Sequence, residues 1–155
     1  MVEKASVFLT VDGLLKTKIK QRTPLARVVT NSKSYYIDTQ AKIMPLSVNH
    51  SARVMLISGD VREGDCEEIH FLVTTLQRDE FLNSLIIGIR KTVQNEFILK
   101  NRLNEMEIEI GKTDNLSSKL KNLEAFYKKP IADSTIDTFK SINLKFDNQV
   151  VCTKL

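Results

Sequence analysis

His50 and His70 are the only histidines, and Cys66 and Cys152 the only cysteines, in a chain of 155 residues. Nucleophilic or metal-assisted catalysis needs such groups in convergent sets. His50 sits in the polar run Asn49-His50-Ser51, and His70 lies beside an apolar helical stripe, where a lone imidazole reads as structural. Neither cysteine belongs to a CxxC or Cys/His spacing, so zinc is not indicated. Two isolated thiols read as small packed residues. A disulfide between them would suit an oxidising compartment, but sequence does not establish their proximity. Glu105, Glu107 and Glu109 share one strand face because strand side chains alternate. Such a row is a solvated edge without the opposed pair that acid–base work requires. The five glycines form neither GxGxxG nor GxxxxGK, so no phosphate cradle is encoded. The residues support no enzyme, metal or cofactor.

The surrounding elements are mostly strands. Ser6 to Val11 is β-branched and aromatic, Asp12-Gly13 is a turn signal, and Leu14 to Gln21 reads as the returning strand. Pro24 lacks a backbone N–H and belongs at a strand end or edge; Leu25 to Val29 then resumes extended chain. Ser34 to Asp38 and Lys42 to Met44 form a second short hairpin, and Arg53 to Ile57 a strand ending at Ser58-Gly59. Asp65 with Glu68 three residues on predicts a capping box for a helix. Along that helix Ile69, Leu72, Val73 and Leu76 make one stripe, followed by a helical turn carrying Phe81, Leu82 and Leu85.

Strands return at Ile86 to Lys91 and Glu96 to Arg102. Met106, Ile108 and Ile110 alternate with the three glutamates, a half-buried strand with its carboxylates in water, closed by Gly111. A second helix has Asn115 as its cap, Leu116, Leu120, Leu123 and Tyr127 along one face, and Pro130 as its stop. Ile142, Leu144 and Phe146 alternate with polar residues, a turn falls at Asp147-Asn148, and Gln149 to about Lys154 is the last strand. Many strands, two inserted helices and few βαβ crossovers predict an α+β fold with a largely antiparallel sheet and two packed helices.

Composition narrows the class. A hydrophobic share of 42% with 27% charged residues excludes a disordered chain. No apolar run reaches the roughly 18 residues that span a bilayer, and the first residues carry no signal-peptide pattern. The net charge of +4 divides into +5 over residues 1–48, −4 over 49–110 and +3 over 111–155. Lys16, Lys18 and Lys20 alternate with Thr17 and Ile19, as on one solvated strand face. A cytoplasmic basic α+β regulatory or nucleic-acid-binding module is the alternative reading that the basic balance supports.

Several short motifs, in order, resemble the FtsQ/DivIB family of bacterial cell-division proteins, most closely in the wording of Bacteroidota members. Gln21-Arg22-Thr23-Pro24-Leu25-Ala26-Arg27 resembles the family's E-R-x-P-v-A signature, with Gln21 in place of Glu. Tyr36-Ile37-Asp38 with Met44-Pro45-Leu46 resembles its y-y-i-D-x-x-G-x-x-m-P segment, with Ala41 where Gly is common. Ala52-Arg53-Val54 through Gly59 resembles the a-R-v-P-l-v-x-G strand, and Gly111-Lys112 a late glycine before a helix. Ile142 to Val151 is similar to the closing i-D-L-R-y-x-N-q-v-v hairpin.

The resemblance implies a non-enzymatic divisome scaffold with a membrane anchor, a POTRA module and a β domain. Residues 1–28 would be the C-terminal half of the POTRA module and 29–155 the β domain. The anchor and first POTRA half would then lie outside this chain, the described part facing the periplasm. Implied partners are FtsB/DivIC-type and FtsL-type division proteins, bound largely by strand addition along the last strand. The implied partner-binding residues are Phe146, Asn148, Gln149, Val150, Val151, Cys152, Thr153 and Lys154. Gln21, Arg22, Pro24 and Ala26 mark the interdomain junction. From the strand pattern alone, Phe146, Val150 and Val151 read rather as core residues of a terminal hairpin; the resemblance reverses that reading.

Overall fold

The computed structural model describes residues 1–128, 139–146 and 149–154. Strands β1 (Val2–Leu9) and β2 (Leu15–Gln21) form an antiparallel ribbon of their own. Gly13 turns it at φ +76°, a left-handed conformation that glycine adopts without a Cβ penalty. Every other strand enters one sheet: β3 (Pro24–Val29), β4 (Ser34–Asp38), β5 (Ile43–Met44), β6 (Met55–Gly59), β7 (Ile86–Lys91), β8 (Phe97–Asn101), β9 (Glu107–Gly111), β10 (Phe139–Asn143) and β11 (Val151–Lys154). Their spatial order is β11-β10-β9-β8-β7-β6-β3-β4-β5. The large sheet therefore begins at Pro24, and residues 24–28, expected to close the first unit, are a strand of the second.

The sheet is mixed and mainly antiparallel. Its parallel pairs are β3–β6, β6–β7 and β9–β10. Helices α1 (Cys66–Gln77) and α2 (Glu80–Leu85) connect β6 to β7, and α3 (Leu116–Lys128) precedes β10. Both crossovers step the same way between strands of the same direction. A common right hand therefore places all three helices on one face.

Register explains where the core sits. Tyr35, Val28, Ile57, Ile89, Leu99, Ile108, Ile142 and Cys152 are successive cross-strand partners from β4 to β11. All but the half-buried Cys152 are buried, and they meet Ile69, Leu72, Leu76, Leu120 and Leu123 of the helices. Fully burying each of the large apolar side chains contributes about 2 kcal/mol. The flanking row, Arg27, Leu56, Gly88, Lys100, Glu107, Ser141 and Thr153, points to the open face. This period-two division makes the 106–110 alternation readable, with Ile108 under the helices and Glu107 outside.

Two local expectations change. Asp65 does not cap α1 through its side chain; it accepts from the Arg62 N–H at 2.8 Å and pairs with Lys91 at 2.6 Å. Lys91 is buried at the end of β7, and leaving its ammonium unpaired costs more than one free helix N–H. Glu68 instead accepts from Thr113 Oγ1 at 2.9 Å, tying α1 to the connection before α3. Second, Glu107 and Glu109 are half-buried and engaged, not merely in water: Glu107 pairs with Arg90 at 2.7 Å. The expected stop at Pro130 and turn at Asp147-Asn148 lie outside the described residues. Among those described, no helix is long and apolar enough to cross a membrane.

Candidate functional site

The last strand forms one end of the sheet. β11 pairs with β10 on one side, Asn143 opposite Val151, Ile142 opposite Cys152 and Ser141 opposite Thr153. On its other side no described strand pairs with it. Along an antiparallel strand, successive residues turn their N–H and C=O groups to opposite neighbours, so alternate residues of β11 present both groups outward. Side chains alternate in the perpendicular sense. Val151, 42% exposed, and Thr153 stand on the open face, while Cys152 turns toward the helices.

The expected partner-binding residues gather here, with one outside the described set. Phe146 is 54% exposed, which separates it from Ile142 and Leu144, both buried. Gln149 and Lys154 are exposed, whereas Val150 and Cys152 are half-buried against the core. Asn148 lies outside the described residues. The junction residues are elsewhere. Six strand spacings of about 4.8 Å, roughly 29 Å, separate β3 from β11. Gln21 ends β2 exposed, Pro24 opens β3 and Ala26 is fully buried.

Arg22, between β2 and β3, is held by Asp38. Its Nε donates to Asp38 Oδ2 at 2.6 Å, and Asp38 Oδ1 accepts from the Gln40 and Lys42 N–H groups at 2.9 and 2.8 Å. Burial pushes the Asp38 carboxyl up, but the Arg22 hydrogen bond and those two backbone bonds outweigh it and hold it below the ordinary carboxylate value. His70 lies near the same turn, its Nε2 3.0 Å from the Thr39 carbonyl oxygen. It is a structural contact, and His50 is exposed in its loop.

Beneath and beside β11 stand residues that sequence reasoning did not single out. Lys145 Nζ reaches Glu96 at 2.6 Å and Glu109 at 3.4 Å, and Asn143 Nδ2 donates to Glu109 at 3.3 Å. The Glu96 hydrogen bond raises the Lys145 pKa; partial burial opposes it, and the charges of Glu96 and Glu109 reinforce it. The available signal was the polar alternation Asn143, Lys145 facing an acidic strand, which becomes meaningful only once β9 and β10 are neighbours. Phe139 packs on Phe126 at 6.4 Å between ring centroids, and Phe126 on Tyr127 at 5.7 Å. Burial, with a smaller push from Cys152, raises the Tyr127 phenol to about 12. The cysteines are free thiols, both with burial-raised pKa values that disfavour the reactive thiolate.

Among the described residues no group of three His, Cys, Asp or Glu side chains could hold a metal ion. What the arrangement offers is backbone hydrogen bonding, an exposed aromatic and a braced scaffold behind both. The family described as FtsQ/DivIB, C-terminal related, matches residues 23–153. The chain belongs to that family. No curated protein matches it. Membership carries a cell-division role, in a family of non-catalytic, membrane-anchored division scaffolds with divisome proteins as partners. The FtsQ/DivIB match begins at Thr23, one residue before the large sheet, so the β1–β2 ribbon lies ahead of it.

Proposed function

We propose that the chain is the periplasmic part of a divisome scaffold that binds its partners by accepting a strand along β11. The carrying observation is the position of β11 at the end of the sheet, with no described strand beyond it. Outward N–H and C=O groups there supply sequence-independent hydrogen bonds, and side chains flanking the edge select the partner. Phe146 is the anchor, since exposed aromatic groups at binding surfaces bury large area at low entropic cost. The partners are FtsB/DivIC-type and FtsL-type proteins, and their capture links early division proteins to septal wall synthesis. In this reading the β1–β2 ribbon is the closing hairpin of a POTRA module.

Proline scanning tests the edge. Proline at Val151 and proline at Cys152 remove donors that face opposite sides of β11. One variant should keep the unfolding midpoint and lose at least tenfold in affinity for an FtsB/DivIC-type partner; the other should disturb the β10 pairing. Unchanged affinity in the variant that remains folded would exclude strand addition at β11.

A further inference from the structure

A second recognition feature lies four strands from β11, at the end of the sheet where the helices meet the strand starts. A cavity of about 450 Å³ opens where β6 and β7 begin, beside the C-terminal end of α1. Arg53 and Arg102 flank it, Gln77 and Asn83 line it, and Ile86 and Ile87 form its apolar wall. No Asp or Glu lines this cavity, and neither guanidinium has an ion-pair partner among the described residues. Both arginines are exposed. Arg22, Arg62 and Arg90 each pair with a carboxylate, while Arg27 and Arg78, which do not line this cavity, share the lack of an ion pair among the described residues.

The apolar part extends onto the sheet. Gly88, next to Ile87 in the chain, stands between Leu56 and Lys100 in the open-face row and is itself buried. A Cβ on Gly88 would come within 3.1 Å of the Leu56 carbonyl oxygen, so the strands approach closely here. Leu56 at 46% and Ile87 at 45% exposure are large apolar side chains, and the irregular register between Ile86 and Gly88 takes Ile87 out of strict alternation. Ile87 also lines a second cavity of about 300 Å³ running toward Asn104 and Glu105.

We propose that this groove docks an acidic linear peptide segment with an apolar residue between its carboxylates. A guanidinium matches a carboxylate bidentately, two unpaired ones flank the cavity, and its Ile86–Ile87 wall accepts an aliphatic side chain. The site is independent of β11, about 19 Å away by four strand spacings. It belongs to a protein partner, because a small anion would use the arginines and leave the Ile86–Ile87 wall uncovered.

Isotope-labelled full chain titrated with an acetylated, amidated Glu-Glu-Leu-Glu-Glu peptide tests this by amide chemical shifts. The expected result is saturable shifts centred on residues 53–56, 86–88 and 102. Affinity should fall at least tenfold in R53E/R102E, fall about threefold in I87S, and weaken with salt. Thermal melts establish that each variant is folded, and R53K/R102K retains the positive charge should charge reversal unfold the sheet. Equal binding of inorganic phosphate or citrate, with I87S unaffected, would reduce the site to a simple anion trap and overturn the peptide assignment. Shifts confined to other residues, or undiminished affinity in R53E/R102E, would overturn the site.

Discussion

Arg22 and Asp38 are the residues by which the ribbon is joined to the sheet, and their chemistry sets a measurable pH dependence. Asp38 is 2% exposed, and replacing it with Asn leaves the Arg22 charge half-buried without its counter-ion. Asp38→Asn should lower the free energy of unfolding by about 3 kcal/mol in urea titrations at neutral pH. Asp38 and Asp65 both titrate below the usual carboxylate value in the fold. Their stabilisation is therefore present above the unfolded-state value, about 3.9, and is lost as pH falls through the lower folded-state values. The wild-type urea midpoint should decline below about pH 4, and less steeply in Asp38→Asn; parallel profiles would show that Asp38 is not so coupled. Asp38 was legible in the sequence through its motif. Asp65 was misassigned because a helix start and a buried lysine compete for the same carboxylate, and Lys91 is 26 positions away in the chain.

At the scale of elements the ribbon stands apart. Ala5, Val7 and Leu9 pair with Ile19, Thr17 and Leu15 on one face, while Lys4, Ser6 and Phe8 pair with Lys20, Lys18 and Lys16 on the other. The sequence alternation of lysines is thus a real solvated face, as expected. The other face exposes Val7, Leu9, Leu15 and Ile19, and an isolated two-stranded hairpin is only marginally stable in water. Amides of β1 and β2 should exchange with solvent far faster than those of β7 and β8. Removing residues 1–20 while keeping Arg22 should shift the unfolding free energy of the remainder by less than about 1 kcal/mol, read from denaturant curves. A larger loss would mean the ribbon braces the sheet. Elements were legible wherever period two or period 3.6 was clean, as at Met106 to Ile110 and along Ile69, Leu72, Val73 and Leu76. The parallel neighbours were not, because β6 meets β3 and β10 meets β9 only after intervening segments fold back, and no local pattern records that pairing.

Across the whole molecule, the buried row from Tyr35 to Cys152 runs perpendicular to the strands and ties β4 to the β11 edge. Ile108 sits within that row, between Leu99 and Ile142, fully buried. Ile108→Ala should cost about 3 kcal/mol, whereas Val151→Ala at the exposed edge should cost under about 0.5 kcal/mol, both by chemical denaturation. Comparable losses would mean that β11 is covered, contrary to an open edge. The strand pattern alone could not say that Phe146 escapes the core while Leu144, two residues earlier, does not; the family resemblance implies an outward Phe146.

The brevity of β11 has a consequence for how a partner would be held. Four residues offer two outward-facing positions, hence four backbone groups. At about 1 kcal/mol net for each hydrogen bond, they supply roughly 4 kcal/mol, a millimolar grip before ordering costs are met. Such an edge retains hardly any partner arriving from dilute solution. It captures one already confined nearby, where tethering raises the effective concentration into the millimolar range. Short strand and weak grip together would make the contact a detector of co-residence at the same site, quick to form when partners gather and quick to release when they disperse.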